Sequence, residues 1–255
     1  MNSEWLTVEV RMDGRIGRLL LNRPEVLNAL SYTVVLEIER AVMELESQAR
    51  VLLIEAAGNH FCAGADLRYL ADTPNKREFI EQINRAFFSI ERASIPVIAA
   101  VQGYALAGGF ELMQACDIVI VANDAIIGDQ HSNFGLIPGG GGSQRLPRLI
   151  GRQRALALLL SGERLTGQEA VSWGLAYRSV PSKQLAEYSV GFAERLATKS
   201  RGGLKALKYL VDQGSAKPLN EAIDLEVNTF LEWIGGQDAQ EGLRAFQKKR
   251  PPRFE

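Results

Sequence analysis

Three short apolar runs, at 51–56, 96–102 and 117–122, constrain what this chain can fold into more than any other feature. Each is rich in β-branched residues and has no polar alternation, the pattern of a strand buried on both faces, which needs neighbouring strands and covering helices. Helical spacing fills the gaps. Residues 31–48 place Val34, Leu36, Ile38, Val42 and Leu45 near one face, 75–93 form a second amphipathic stretch, and a glycine-broken turn at 103–109 opens a helix through Cys116. Two further strands, 7–11 and 16–22, flank the turn residues Asp13-Gly14. This alternation predicts an α/β architecture. From residue 153 onward helical patterns dominate, at 153–161, 167–173, 183–197, 203–213, 219–233 and 239–248. The last three read as a helical region that caps the core or packs on another subunit.

Composition narrows the function classes. The 255 residues carry a formal net charge of -1, with no concentrated basic surface, so a nucleic-acid partner is not expected. No apolar run reaches membrane-spanning length, and the first residues lack a basic segment followed by an apolar one. Two cysteines, Cys62 and Cys116, are too few for a disulfide framework. The reading is a soluble protein of a reducing compartment, most simply cytoplasmic.

Two turns could carry chemistry. One, Ala63-Gly64-Ala65-Asp66, follows a buried strand; the other, Gly103 to Gly109, joins a buried strand to a helix. Glycine and alanine let a ligand approach the backbone. The Gly108 N–H, at a helix start, lacks an intrahelical acceptor, and two such donors converging on one point would hold a developing oxyanion. Glu111 lies about one helical turn beyond Gly108, flanked by Phe110, Leu112 and Met113. Burial would raise its pKa toward the range useful for a general acid or base. The glycines at 139–142 suggest a phosphate loop but lack its Gly-Lys-Ser/Thr ending, and neither a dinucleotide fingerprint nor a nucleophile elbow occurs. With only His60 and His131, a histidine-based metal site is not expected, and His60 reads as a surface loop residue.

Taken in order, several segments resemble the crotonase superfamily of enoyl-CoA hydratases and isomerases. They are Leu21-Asn22-Arg23-Pro24-Glu25-Val26-Leu27-Asn28-Ala29-Leu30, Phe61-Cys62-Ala63-Gly64-Ala65-Asp66-Leu67 and Gln102-Gly103-Tyr104-Ala105-Leu106-Ala107-Gly108-Gly109-Phe110-Glu111. Gly135-Leu136-Ile137-Pro138 and the stretch from Glu241 to Arg250 complete the match. The resemblance implies a crotonase-like spiral of ββα units over 1–197, and a C-terminal helical oligomerisation region over 198–255 that builds a homotrimer or a dimer of trimers. It implies an acyl-CoA substrate, coenzyme A arriving as part of the thioester, and no separate cofactor or metal. Ala65 and Gly108 would supply the oxyanion N–H groups. Pro24, Val26 and Leu27 would flank coenzyme A, and Ala63, Gly64, Asp66, Leu67, Arg68 and Gly109 would line the ligand. Phe246 and Lys249 would reach it from a neighbouring subunit.

One departure bears on the chemistry. Family hydratases carry a second glutamate twenty residues after the one matched by Glu111, and His131 stands there, with Gly128, Gly135 and Pro138 in register. Histidine titrates near neutrality and can take over a proton-transfer role; Asp129 is a nearby substitute. The expected reaction is addition of water across a 2,3-double bond. The alternatives are Δ3–Δ2 isomerisation by one base, hydrolysis of a C–C or thioester bond using His131, and a non-catalytic CoA-binding scaffold.

Overall fold

The computed structural model describes residues 5–254. In chain order the strands are β1 (Val8–Asp13), β2 (Ile16–Leu21), β3 (Val51–Ala56), β4 (Val97–Val101), β5 (Tyr104–Leu106), β6 (Ile118–Ala122), β7 (Ile126–Gly128), β8 (Leu165–Thr166) and β9 (Arg178–Val180). The helices are α1 (Tyr32–Gln48), α2 (Leu67–Asp72), α3 (Lys76–Arg92), α4 (Gly108–Gln114), α5 (Gly142–Ile150), α6 (Arg152–Ser161), α7 (Gly167–Trp173), α8 (Leu185–Ala197), α9 (Arg201–Gly214), α10 (Leu219–Ile234) and α11 (Gln237–Gln247).

The apolar runs become the middle of a six-stranded sheet ordered β1-β2-β3-β4-β6-β9. Only the β1–β2 hairpin is antiparallel; every other pairing in it is parallel. All six residues of β3 and all five of β4 are buried, as a parallel sheet covered on both faces requires. Helix α1 packs on β1–β3 and on α3, while α8 packs on β2, β3, β4 and β6. Local chemistry sets the helix starts. The Ser31, Asp66 and Asn75 side chains accept the backbone N–H three residues on, opening α1, α2 and α3.

A second, three-stranded sheet, β5-β7-β8, stacks the turn after β4 on the segment after β6. Residues 103–109 are therefore not turn alone: Tyr104–Leu106 pairs in parallel with Ile126–Gly128. The sequence underrates these strands because three residues are too few to establish a period. The C-terminal helices are held by point contacts. Buried Arg50 donates to the carbonyls of Lys199 and Phe254, and Lys208 pairs with Asp117 at 2.7 Å.

Candidate active site

A cavity of about 340 Å³ opens where the turn after β3, the β5–α4 junction and the segment after β7 meet. Ala63, Ala65, Leu67, Gly108, Glu111 and His131, all singled out from the sequence, line it together.

Hydrogen bonding of the main chain brings the two turns side by side. Cys62 N–H donates to Tyr104 O at 2.9 Å and Leu106 N–H to Cys62 O at 3.0 Å, stitching the strand ends. On the other edge Leu30 N–H donates to Gly64 O and Asp66 N–H to Leu30 O. Ala65 lies between these two bonds, and in a ladder the alternate residue turns its N–H the other way. Ala107 has φ 47° and ψ −117°, a conformation costly for an L-residue, and it sets the direction of the next peptide and hence of the Gly108 N–H. A Cβ on Gly108 would fall 3.1 Å from Ala65 N, so the two nitrogens are neighbours. Neither N–H has a protein acceptor among the described residues.

Glu111 sits on the first turn of α4, only 2% exposed. It is not the bare carboxylate that its apolar flanks suggest. Its Oε1 accepts the N–H groups of Gly140 and Gly142, both at 2.8 Å, while Oε2 accepts from no protein donor among the described residues. The glycine run thus serves a side chain rather than a phosphate. A Cβ at residue 140 would stand 2.9 Å from Oε2, so only glycine lets this loop close on the carboxylate. Burial raises the Glu111 pKa above the usual carboxylate value. The Gly142 and Gly140 N–H groups and the charge of His131 oppose the rise, and Asp129 adds to it.

His131 opens a short 3-10 helix, His131–Phe134. Its Nδ1 lies 3.0 Å from each oxygen of Asp129, which is fully buried and also accepts the His131 N–H. With Nδ1 engaged there, Nε2 is the nitrogen left for a ligand. Burial works against the charged ring, but the hydrogen bond and charge of Asp129 and the charge of Glu111 outweigh it, and the imidazole titrates above its ordinary 6.5. Asp129 therefore serves His131 and does not itself line the cavity.

The profile of the enoyl-CoA hydratase/isomerase family matches residues 11–255. The chain belongs to that family. A Mycobacterium tuberculosis protein named "Probable enoyl-CoA hydratase echA8" is 35% identical over 97% of each chain. The crystal structure of an enoyl-CoA hydratase from Bacillus anthracis superposes with a TM-score of 0.94 at 34% identity, covering 98% of this chain and 99% of that one. One from Geobacillus kaustophilus gives 0.93 at 38% identity, covering 99% of both. The spiral of ββα units is thus the fold, and this chain is an enzyme of the enoyl-CoA hydratase/isomerase family.

The remaining residues matched to the family lie around the cavity or away from it. Pro24 and Val26 form a short 3-10 helix, with Leu27 following in the left-handed region, and Leu27 O accepts Ala63 N–H at the cavity edge. Gly64 and Asp66 flank Ala65, and Asp66 both caps α2 and faces Arg23 at 3.6 Å. Arg68 is exposed on α2. Gly109 packs against Cys62, where a Cβ would meet the carbonyl oxygen at 2.1 Å, and like Pro24, Val26, Leu27, Gly64, Asp66 and Arg68 it stands outside the lining of this cavity. Phe246, 86% exposed, and Lys249 lie in the C-terminal segment and take no part in the cavity of their own chain. His60, expected on the surface, is half-buried; its Nδ1 accepts Tyr104 N–H and its ring stacks on Tyr104 at 4.2 Å. Sequence reasoning did not find the Gly140 and Gly142 donors. The signal was available, since a buried carboxylate demands donors and side-chain-free N–H groups lie thirty residues on.

Proposed function

We propose that the protein hydrates 2-enoyl-CoA thioesters, with Ala65 and Gly108 as an oxyanion hole, Glu111 as base and His131 as acid. The observation that carries this reading is the pair of neighbouring N–H groups without protein acceptors, sharing one cavity with the free Oε2 of Glu111. The thioester carbonyl oxygen accepts from both N–H groups. Glu111 takes a proton from water as the oxygen bonds to C3, and the C2=C3 π electrons move onto the carbonyl oxygen as an enolate. That charge develops against pre-aligned donors, each contributing roughly 3–4 kcal/mol to barrier lowering. Protonated His131 then gives its proton to C2, and the enolate collapses to the 3-hydroxyacyl thioester.

The test is crotonyl-CoA in heavy-oxygen water. Label at C3 of a 3-hydroxy product supports hydration. A double-bond shift in a 3-enoyl thioester without label would identify Glu111 as a lone shuttle base, and release of free CoA would identify hydrolysis.

The titrations give this assignment a distinct pH signature. For hydration, kcat/KM should rise as Glu111 deprotonates, through a value above the ordinary carboxylate range, and fall as His131 loses its proton, above 6.5. The two limbs belong to the pair jointly because each group shifts the other. His131→Gln should remove the alkaline limb and lower turnover by about 10²-fold. A rate that keeps rising with pH would make His131 a base instead.

The oligomerisation reading rests on α9 and α10, where Leu207, Val211, Val227, Phe230 and Leu231 are exposed apolar residues. A homotrimer, or a dimer of trimers, would bury them and carry Phe246 and Lys249 toward coenzyme A bound by a neighbour; light scattering would read the mass. Unpaired Cys62 and Cys116 support residence in a reducing compartment such as the cytoplasm. Coenzyme A enters as part of the substrate, with no further cofactor in the scheme.

A further inference from the structure

The cavity carries one charged group that hydration does not use. Among its lining residues the charged side chains are Glu111, His131 and Arg164. Arg164 precedes β8 and takes part in no ion pair among the described residues. Its Nε donates to Gln130 Oε1 at 3.0 Å, and its two terminal nitrogens have no protein acceptor among the described residues. Gln130 is itself fixed: it is buried, its Nε2 donates to Gly162 O at 2.9 Å, and its Oε1 also accepts from Asn133. The guanidinium is thus held by its inner nitrogen while its outer fork stays free, the geometry that suits a carboxylate.

We propose that Arg164 makes this enzyme selective for enoyl thioesters whose acyl chain carries a carboxylate. The inference rests on reading the cavity as the acyl pocket of a CoA thioester. The charge balance of the wall supports it. His131 immediately follows Gln130 in the chain, the acid paired with it, Asp129, is buried behind it, and Glu111 is the one carboxylate among the lining residues. An anionic acyl group entering beside His131 meets the guanidinium of Arg164, the one charged side chain of the lining with no ion-pair partner and no carboxylic function of its own. Arg164 is exposed, so beside a purely apolar acyl chain its fork stays with solvent and adds nothing to binding. The other cavity walls, with Leu70, Ile80 and Ile83, accept the methylenes between the two ends.

Binding of saturated, unreactive thioesters tests this independently of turnover. Butyryl-CoA and glutaryl-CoA share the thioester and differ by a terminal carboxylate. Calorimetry on the full chain should give glutaryl-CoA about tenfold tighter binding, close to 1.4 kcal/mol, with the advantage shrinking as salt rises. In Arg164→Gln the ratio of the two affinities should fall to about one, and Arg164→Lys should restore part of it. Equal binding of the two thioesters by the unaltered protein would overturn the proposal. So would Arg164→Gln weakening both alike, which would make Arg164 only a brace for Gln130. Kinetics then repeats the comparison with crotonyl-CoA and the mono-CoA thioester of 2-pentenedioic acid. Absence of hydration with both, alongside an intact binding ratio, would remove the hydratase reading and leave the carboxylate site standing.

Discussion

Glu111→Gln should cut crotonyl-CoA hydration by about a thousandfold while thioester affinity stays within a few-fold of the unaltered protein. The substitution is nearly isosteric. The amide oxygen can keep both glycine donors, Gly140 and Gly142, which now bond to Oε1 at 2.8 Å, and the amide nitrogen takes the place of the free Oε2. Only the proton acceptor is lost. Stability should move the other way. Because burial raises the folded-state pKa of Glu111, the folded protein binds this proton more tightly than the unfolded chain does. The group's contribution to stability is complete below the unfolded carboxylate value and is lost as pH rises through the higher folded value. At neutral pH the buried charge is a burden, and the Gln variant should melt at the same temperature or higher. Near-normal turnover in a well-folded Glu111→Gln protein would remove this residue from the mechanism. A variant that melts early would show the carboxylate to be a structural bond first.

Gly108→Ala should lower turnover by about 10²–10³-fold, the cost of a displaced oxyanion donor. The added methyl would stand 3.1 Å from Ala65 N and 3.3 Å from the Leu30 side chain, tighter than either contact accepts. Relief requires the Ala65 peptide or α4 to shift, and both carry an N–H that must keep its aim. The loss should appear in kcat, because the strongest demand on the donors arises only as the enolate forms. A rise in KM alone, with kcat preserved, would argue that these N–H groups bind the thioester without stabilising its transition state. Circular dichroism that matches the unaltered protein is the control, since residue 108 is buried at a helix start.

The long elements were legible because their signals are long. Val51–Ala56 and the helix at Lys76–Arg92 declare themselves through composition and spacing over six and seventeen residues. The three-residue strands β5, β7 and β9, and the two-residue β8, do not; their partners are remote in sequence and no local pattern encodes them. Helix α5 was missed for another reason: a glycine run leads into it and Pro147 lies inside it, two features that argue against a helix when read locally. At the site, the backbone donors and Glu111 were visible as a turn pattern with an acid one helical turn away. The Asp129–His131 pairing was only half visible. The two residues are adjacent enough to suggest contact, but the sequence does not reveal that Asp129 is buried behind the ring. Arg164 is not legible in the sequence, because nothing local marks a residue before a two-residue strand as part of a cavity.

The donors at Ala65 and Gly108 belong to the main chain, and the bonds that aim them, from Leu30 to Gly64 and from Cys62 to Tyr104, are main-chain bonds as well. On the proposed mechanism the oxyanion contacts therefore come from the main chain, while Glu111, His131 and the glycines at 108 and 140 are the positions that tolerate no exchange. If the proposed mechanism holds, exchanges at Leu70, Ile80, Ile83 or Arg164, which line the same cavity, would alter which acyl groups are admitted while leaving the main-chain bonds in place. Such a scaffold can trade one substrate for another in single substitutions, and its diversification should be recorded in the wall of the chamber rather than at its heart.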